Sequence, residues 1–146
     1  FLAGTFYQMK YALLLALCIQ AQAMEITDDF LDKLAVIESG THCTAISDKG
    51  QALGAYQLHR SAWEDACKRN LANWPYDKSN AFNYPIARQV AQWHCEWIVK
   101  TLQSNGIKPT PIRVYMCYCM GVRGALRHKL NTDLDYPALN RARGIL

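Results

Sequence analysis

The sequence has no low-complexity tract, no internal repeat and no linker-like stretch. Its 146 residues include only five prolines and eight glycines, and 51% are apolar. Disorder is therefore excluded, and one compact domain is expected. A dense basic stripe is also missing. The net charge is only +4, and Lys68-Arg69, Arg123, Arg127-His128-Lys129 and Arg141-Ala142-Arg143 are scattered. That argues against a nucleic-acid partner and leaves a weak attraction to an anionic polymer such as a cell wall. No alternation of strand and helix patterns suggests a parallel α/β architecture. The apolar run YALLLALCI, residues 11–19, is about half the length needed to span a bilayer.

That run has a different use. Met9-Lys10 precedes it and Ala21-Gln22-Ala23 follows it, which is the pattern of a secretory signal peptide. Residues 9–23 are expected to be the signal, residues 1–8 an over-translated flank, and residues 24–146 the mature domain. Export implies a secreted or periplasmic location. Five cysteines remain after cleavage: Cys43, Cys67, Cys95, Cys117 and Cys119. An oxidising compartment would favour two disulfides and one free thiol. No metal or cofactor is expected. His42-Cys43, His94-Cys95 and the Cys117/Cys119 pair do not follow the usual zinc spacing of two close ligand pairs. Positions two apart on a helix point about 200° apart, so Cys117 and Cys119 cannot easily grip one ion.

What is present reads as helix almost throughout. Thr27 can cap a first helix, with Asp28 and Asp29 in its first turn. Phe30, Leu34 and Ile37 share one stripe, and Gly40 stops the helix. Residues 41–57 read as an irregular segment. Ser61 and Glu64 form a capping-box pattern for a second helix, with Trp63, Ala66, Cys67 and Leu71 on its inner face. Asn73 to Asn83 reads as a loop. Pro85 opens a third helix carrying Ile86, Val90, Trp93 and Trp97. Thr110 caps a fourth, with Ile112, Tyr115, Met116 and Cys119 as its stripe. The tail after residue 130 has weaker periodicity. The fold class is mainly α, in one domain.

Glu38 falls in the last turn of the first helix, beside the apolar face. The helix dipole disfavours a carboxylate there. Desolvation would raise its pKa, and a carboxyl kept protonated near neutral pH can act as a general acid. The alternative is a helix-end glutamate pointing into water.

The segment LAVIESG, followed by ALGAYQLHRSAW, resembles the lytic transglycosylase and goose-type lysozyme superfamily. Gly54-Ala55-Tyr56-Gln57-Leu58 stands where that family has a G-x-x-Q segment. Tyr118-Cys119-Met120-Gly121 stands where it has tyrosine, asparagine and glycine late in a helix, with Cys119 at the asparagine position. The resemblance runs from about Phe30 to about Arg127. It implies a lysozyme-like helical domain with an irregular active-site loop, acting as a monomer on peptidoglycan glycan strands. Glu38 would be the catalytic acid and base. Ser39 would contact the substrate or hold Glu38, Gln57 would hydrogen-bond the sugar, and Tyr56 would line the groove. Tyr118 would approach Glu38 and fix its orientation. The implied reaction cleaves the β-1,4 bond between N-acetylmuramic acid and N-acetylglucosamine by the transglycosylase route. A lysozyme-type hydrolase is an alternative, with Asp48 as second carboxylate. A catalytically weakened glycan-binding or assembly protein is another. Asp65 is expected to face solvent. Trp93 and Trp97 are expected in the core, with Trp74 as the candidate for sugar stacking. Cys117 becomes the candidate for a disulfide, with Cys95 as its partner.

Overall fold

The computed structural model describes residues 24–146. The expected signal peptide and flank, residues 1–23, lie outside the described residues. The described chain is mainly helical, with one small sheet.

Helix α1 spans Asp28–Ser39. Thr27 Oγ1 accepts a hydrogen bond from the Phe30 amide at 3.2 Å, and Asp28 and Asp29 occupy the positive end of the dipole. Phe30, Leu31, Leu34, Ala35 and Ile37 are buried. Gly40 takes the left-handed conformation (φ 62°), and the amides of Gly40 and Thr41 close the helix on the carbonyls of Val36 and Ala35.

The segment expected to be irregular, residues 41–57, holds two strands of an antiparallel meander, β1 (Ile46–Ser47) and β2 (Ala52–Leu53), and β3 (Leu58–His59) follows directly. Ser47 pairs with Ala52, and Ala52 with His59. Two-residue strands are too short to show a period of two, so nothing in the sequence announces them. A 3₁₀ turn, Asp48–Gly50, joins β1 to β2. The Tyr76 hydroxyl lies 2.6 Å from the Gln51 carbonyl and 2.7 Å from that of Leu58, pinning the sheet from outside.

Helix α2 spans Arg60–Arg69. The expected capping box does not form: His59 holds the cap position without a side-chain bond, and Glu64 pairs with Arg60 at 3.1 Å. Trp63, Ala66 and Cys67 are buried as expected, but Leu71 is 95% exposed. The helix has ended before it, and Leu71 turns outward at φ 55°. The expected loop from Asn73 to Asn83 contains a one-turn helix, α3 (Lys78–Ala81), capped by Asp77.

Helix α4 (Tyr84–Ser104) starts at Asn83, whose Oδ1 accepts from the Ile86 amide, with Pro85 in its first turn. Helix α5 (Pro111–Arg127) is capped by Thr110 and broken at Gly121, which adopts φ 73° and ψ 154°. Helix α6 (Pro137–Ala142) lies in the weakly periodic tail. The Arg143 guanidinium anchors that tail by donating to the carbonyls of Thr132 and Leu134.

The core is organised around α4, which packs on α1, α2, α3 and α5. Val90, Ala91, Cys95, Ile98 and Leu102 are its buried stripe, facing Leu34, Val114, Met116 and Leu139 among others. Arg88 ties α4 to α1 by donating to Asp32 at 2.7 Å and Asp28 at 2.9 Å. The five cysteines of the described residues are free thiols, so the expected Cys95–Cys117 bridge is not formed here. Both thiols are buried as small apolar groups.

Backbone meets backbone at one point. Gly54 has φ 75°, and a Cβ placed on it would fall 2.0 Å from the Ala81 carbonyl oxygen. Only glycine lets the sheet approach α3 this closely. Gly54→Ala is expected to destabilise the fold by on the order of 3 kcal/mol or more, read by urea unfolding, because strain and overlap add.

Candidate active site

A constellation of polar groups lines a cleft of about 510 Å³. The end of α1 contributes Glu38, and the sheet contributes Asp48, Gln57 and His59. Helix α2 brings Asp65, α4 brings His94 and Trp97, α5 brings Tyr118 and Cys119, and α6 brings Arg141.

Glu38 lines this cleft, half-buried. The Tyr115 hydroxyl donates a 2.7 Å hydrogen bond to its Oε1. Burial raises the carboxyl pKa above its ordinary value of 4.5 and outweighs three opposing influences: the Tyr115 hydrogen bond and the positive ends of Arg141 and His59. Among the described residues no donor binds Oε2, which is left to carry a transferable proton. Tyr115 itself is pushed upward by burial and by Glu38, so its hydroxyl stays a donor.

The side chains named from sequence do not all meet the cleft. Ser39 donates to the Ala55 carbonyl at 2.8 Å, which fastens the end of α1 to the loop before β3. Gln57 reaches the cleft wall, but its amide donates to the carbonyls of Ala45 and Gly54, and its Oε1 accepts from Ser47. Its polar atoms hold the turn. Tyr56 is 1% exposed and does not line the cleft: its hydroxyl accepts from Arg88 at 3.0 Å and lies 3.2 Å from that of Tyr84. Tyr118 does not orient Glu38. Its hydroxyl donates to the Tyr56 carbonyl at 2.5 Å, and Tyr115, one helical turn earlier on the same face, makes the carboxyl contact instead.

Asp48 lines the cleft and pairs with His59 at 2.9 Å. Asp65, expected to face solvent, is exposed and also forms part of the rim. Trp97 lines the cleft, whereas Trp74 stacks on Trp93 at 5.3 Å and does not. Cys119 donates to the Tyr115 carbonyl at 3.2 Å, and burial followed by Glu38 pushes its thiol up to about 12. It is a neutral neighbour of the carboxyl and not a nucleophile.

Tyr115, which holds Glu38 from behind the cleft wall, and the cleft residues His59, His94 and Arg141 had no sequence assignment to this site. Tyr115 was legible as a partner only through its three-residue spacing from Tyr118. Arg141 lies in the weakly periodic tail, where no pattern pointed to this site. Comparison with protein-family models, curated proteins and solved structures finds no match to the chain.

The raised carboxyl has a thermodynamic consequence. The folded protein holds the Glu38 proton to higher pH than the unfolded chain does. Stability from this group is therefore present below about pH 4.5 and is lost as pH rises through the folded pKa. Glu38→Gln should melt at a higher temperature than wild type at pH 7. The two curves should converge at about pH 4, where both side chains are neutral. A scanning-calorimetry series across this range checks it.

Proposed function

We propose that this chain is an exported enzyme that cleaves the β-1,4 bond between N-acetylmuramic acid and N-acetylglucosamine in peptidoglycan, with Glu38 as its single acid and base. The observation that carries the reading is a half-buried carboxyl with a raised pKa, held by one tyrosine at the side of an open cleft. A monomer acting on wall glycan, with no cofactor, is part of the same reading. So is its likeness to the lytic transglycosylase and goose-type lysozyme superfamily.

The chemistry follows from the carboxyl. Glu38 Oε2 gives its proton to the glycosidic oxygen as the bond from that oxygen to C1 breaks. The carboxylate that remains then takes the proton of the muramic acid 6-hydroxyl. That oxygen bonds to C1, and a 1,6-anhydro sugar leaves. No water is consumed, and Glu38 is protonated again for the next turnover. Tyr115 holds Oε1 and so directs Oε2 at the bond. Its hydroxyl stabilises the carboxylate more than the acid, which limits how far burial raises the pKa.

A second reading has its own observation. Asp48 lines the same cleft and is exposed to water. Were it to direct a water at C1, the outcome would be hydrolysis with inversion. The non-catalytic, glycan-binding alternative predicts binding without product.

Incubation of residues 24–146 with purified peptidoglycan, followed by mass spectrometry of the sugars, separates these outcomes. Anhydro ends are expected, reducing ends would indicate the hydrolase, and intact glycan would overturn the enzyme reading. Glu38→Gln should lose on the order of 10²-fold or more in rate. Full activity in that variant would remove Glu38 from the mechanism. Tyr115→Phe deletes the contact that lowers the Glu38 pKa. Its activity should fall on the order of tenfold, and the decline on the alkaline side should move to higher pH.

A further inference from the structure

His94 is a cleft residue that the proposed reaction does not use. It lies on α4 and is 9% exposed. Trp97 stacks on it at 5.8 Å and 19°, and the Tyr118 ring meets it edge-on at 5.5 Å and 63°. Its Nδ1 is enclosed without a hydrogen-bond partner, the one such side-chain nitrogen or oxygen among the described residues. Nε2 is not among the enclosed, unpartnered atoms, and His94 lines the cleft. A stranded buried polar atom costs stability, and packing alone would be better served by a phenyl ring.

The surroundings define what this imidazole can offer. Burial, then the nearby Arg69 guanidinium, push its pKa down to about 4 against the opposing influence of Asp65. The ring is therefore neutral under ordinary conditions, with one donor and one acceptor nitrogen. Enclosing a bare lone pair is the less costly choice than enclosing an unpaired N–H. The proton then belongs on Nε2. Trp97 beside it lines the same cleft, its ring held between the His94 stack and the Arg69 guanidinium 4.6 Å from its centroid.

We propose that His94 is a substrate-positioning residue whose Nε2–H donates a hydrogen bond to a hydroxyl or N-acetyl carbonyl oxygen of a sugar seated in this cleft. This assignment rests on the glycan-cleaving reading and adds a second fixed point in the cleft, from a different helix than Glu38. A neutral donor suits an uncharged sugar oxygen, because no charge has to be desolvated when it binds. The two aromatic neighbours restrict the ring, so little freedom is lost on binding.

The test compares wild type, His94→Phe and His94→Gln on a soluble oligosaccharide of alternating N-acetylglucosamine and N-acetylmuramic acid. His94→Phe should raise KM about three- to tenfold, the loss of one neutral hydrogen bond, with kcat near wild type. It should melt no lower than wild type, since the stranded nitrogen is gone. His94→Gln, which keeps a donor, should recover part of the KM. Histidine ¹⁵N spectra of Glu38→Gln should show the Nε2–H tautomer at His94, with its signal moving when the oligosaccharide is added. An unchanged KM in His94→Phe, an Nδ1–H tautomer, or a His94 signal that stays still while the oligosaccharide binds would each overturn the assignment. If wild type cleaves the oligosaccharide and His94→Phe matches its KM, the assignment alone fails. If wild type neither binds nor cleaves it, the glycan reading fails and takes the assignment with it.

Discussion

A carboxyl group placed at the negative end of a helix, and partly stripped of water, is the constraint on which the rest of the site depends. Glu38 lies in the last turn of α1, where the dipole opposes its charge, and burial opposes it further. Such a group stays in place only if the surrounding structure determines it. Gly40 ends the helix immediately after it, and Ser39 ties that end to the Ala55 carbonyl. Tyr115 reaches across from α5 to hold one oxygen. Arg141 and His59 temper the shift from α6 and β3. The segment from Ala55 to His59, α5 and α6, all remote from Glu38 in sequence, converge on one acid.

The scaffold explains how they can. Helix α4 is the axis against which α1, α2, α3 and α5 are placed, and its Arg88 locks α1 by two carboxylates. The same guanidinium donates to Tyr56, and the Tyr56 carbonyl accepts from Tyr118. A chain of hydrogen bonds therefore runs from α1 through the segment before β3 to α5. The cleft opens beside this chain. Tyr56 and Gln57 belong to its framework, with their polar atoms directed to protein groups and not to the open space.

This alters what the tyrosines mean. Tyr115 and Tyr118 lie one turn apart with ring centroids 6.4 Å apart and nearly parallel planes. Spacing alone assigns both to one helix face, and either could meet a carboxyl on the facing element. Tyr118 is taken up by the Tyr56 carbonyl, so the contact falls to Tyr115. The break at Gly121 bends α5 just after this pair and brings Gly121 and Val122 to the cleft wall. Cys119, at the position where asparagine was expected, turns its thiol back onto its own helix.

The sequence by itself determined both ends of α1 and the starts of α4 and α5. Thr27, Gly40, Pro85 and Thr110 act within one turn of chain, through caps and fixed dihedrals that need no distant partner. It also singled out Glu38, because a charge beside an apolar stripe at a helix end is a local anomaly. The tertiary structure decided everything that depends on pairing. Strands of two residues have no readable period, so the meander emerged only once Tyr76 and the Gly54–Ala81 approach held it. Leu71 left the core because its helix stopped two residues before it. Arg141 and His94 entered the site by the placement of their helices. No local pattern marks a residue whose role comes from what lies across a cleft. Burial, which sets the protonation of Glu38 and His94 alike, exists only after the chain has folded.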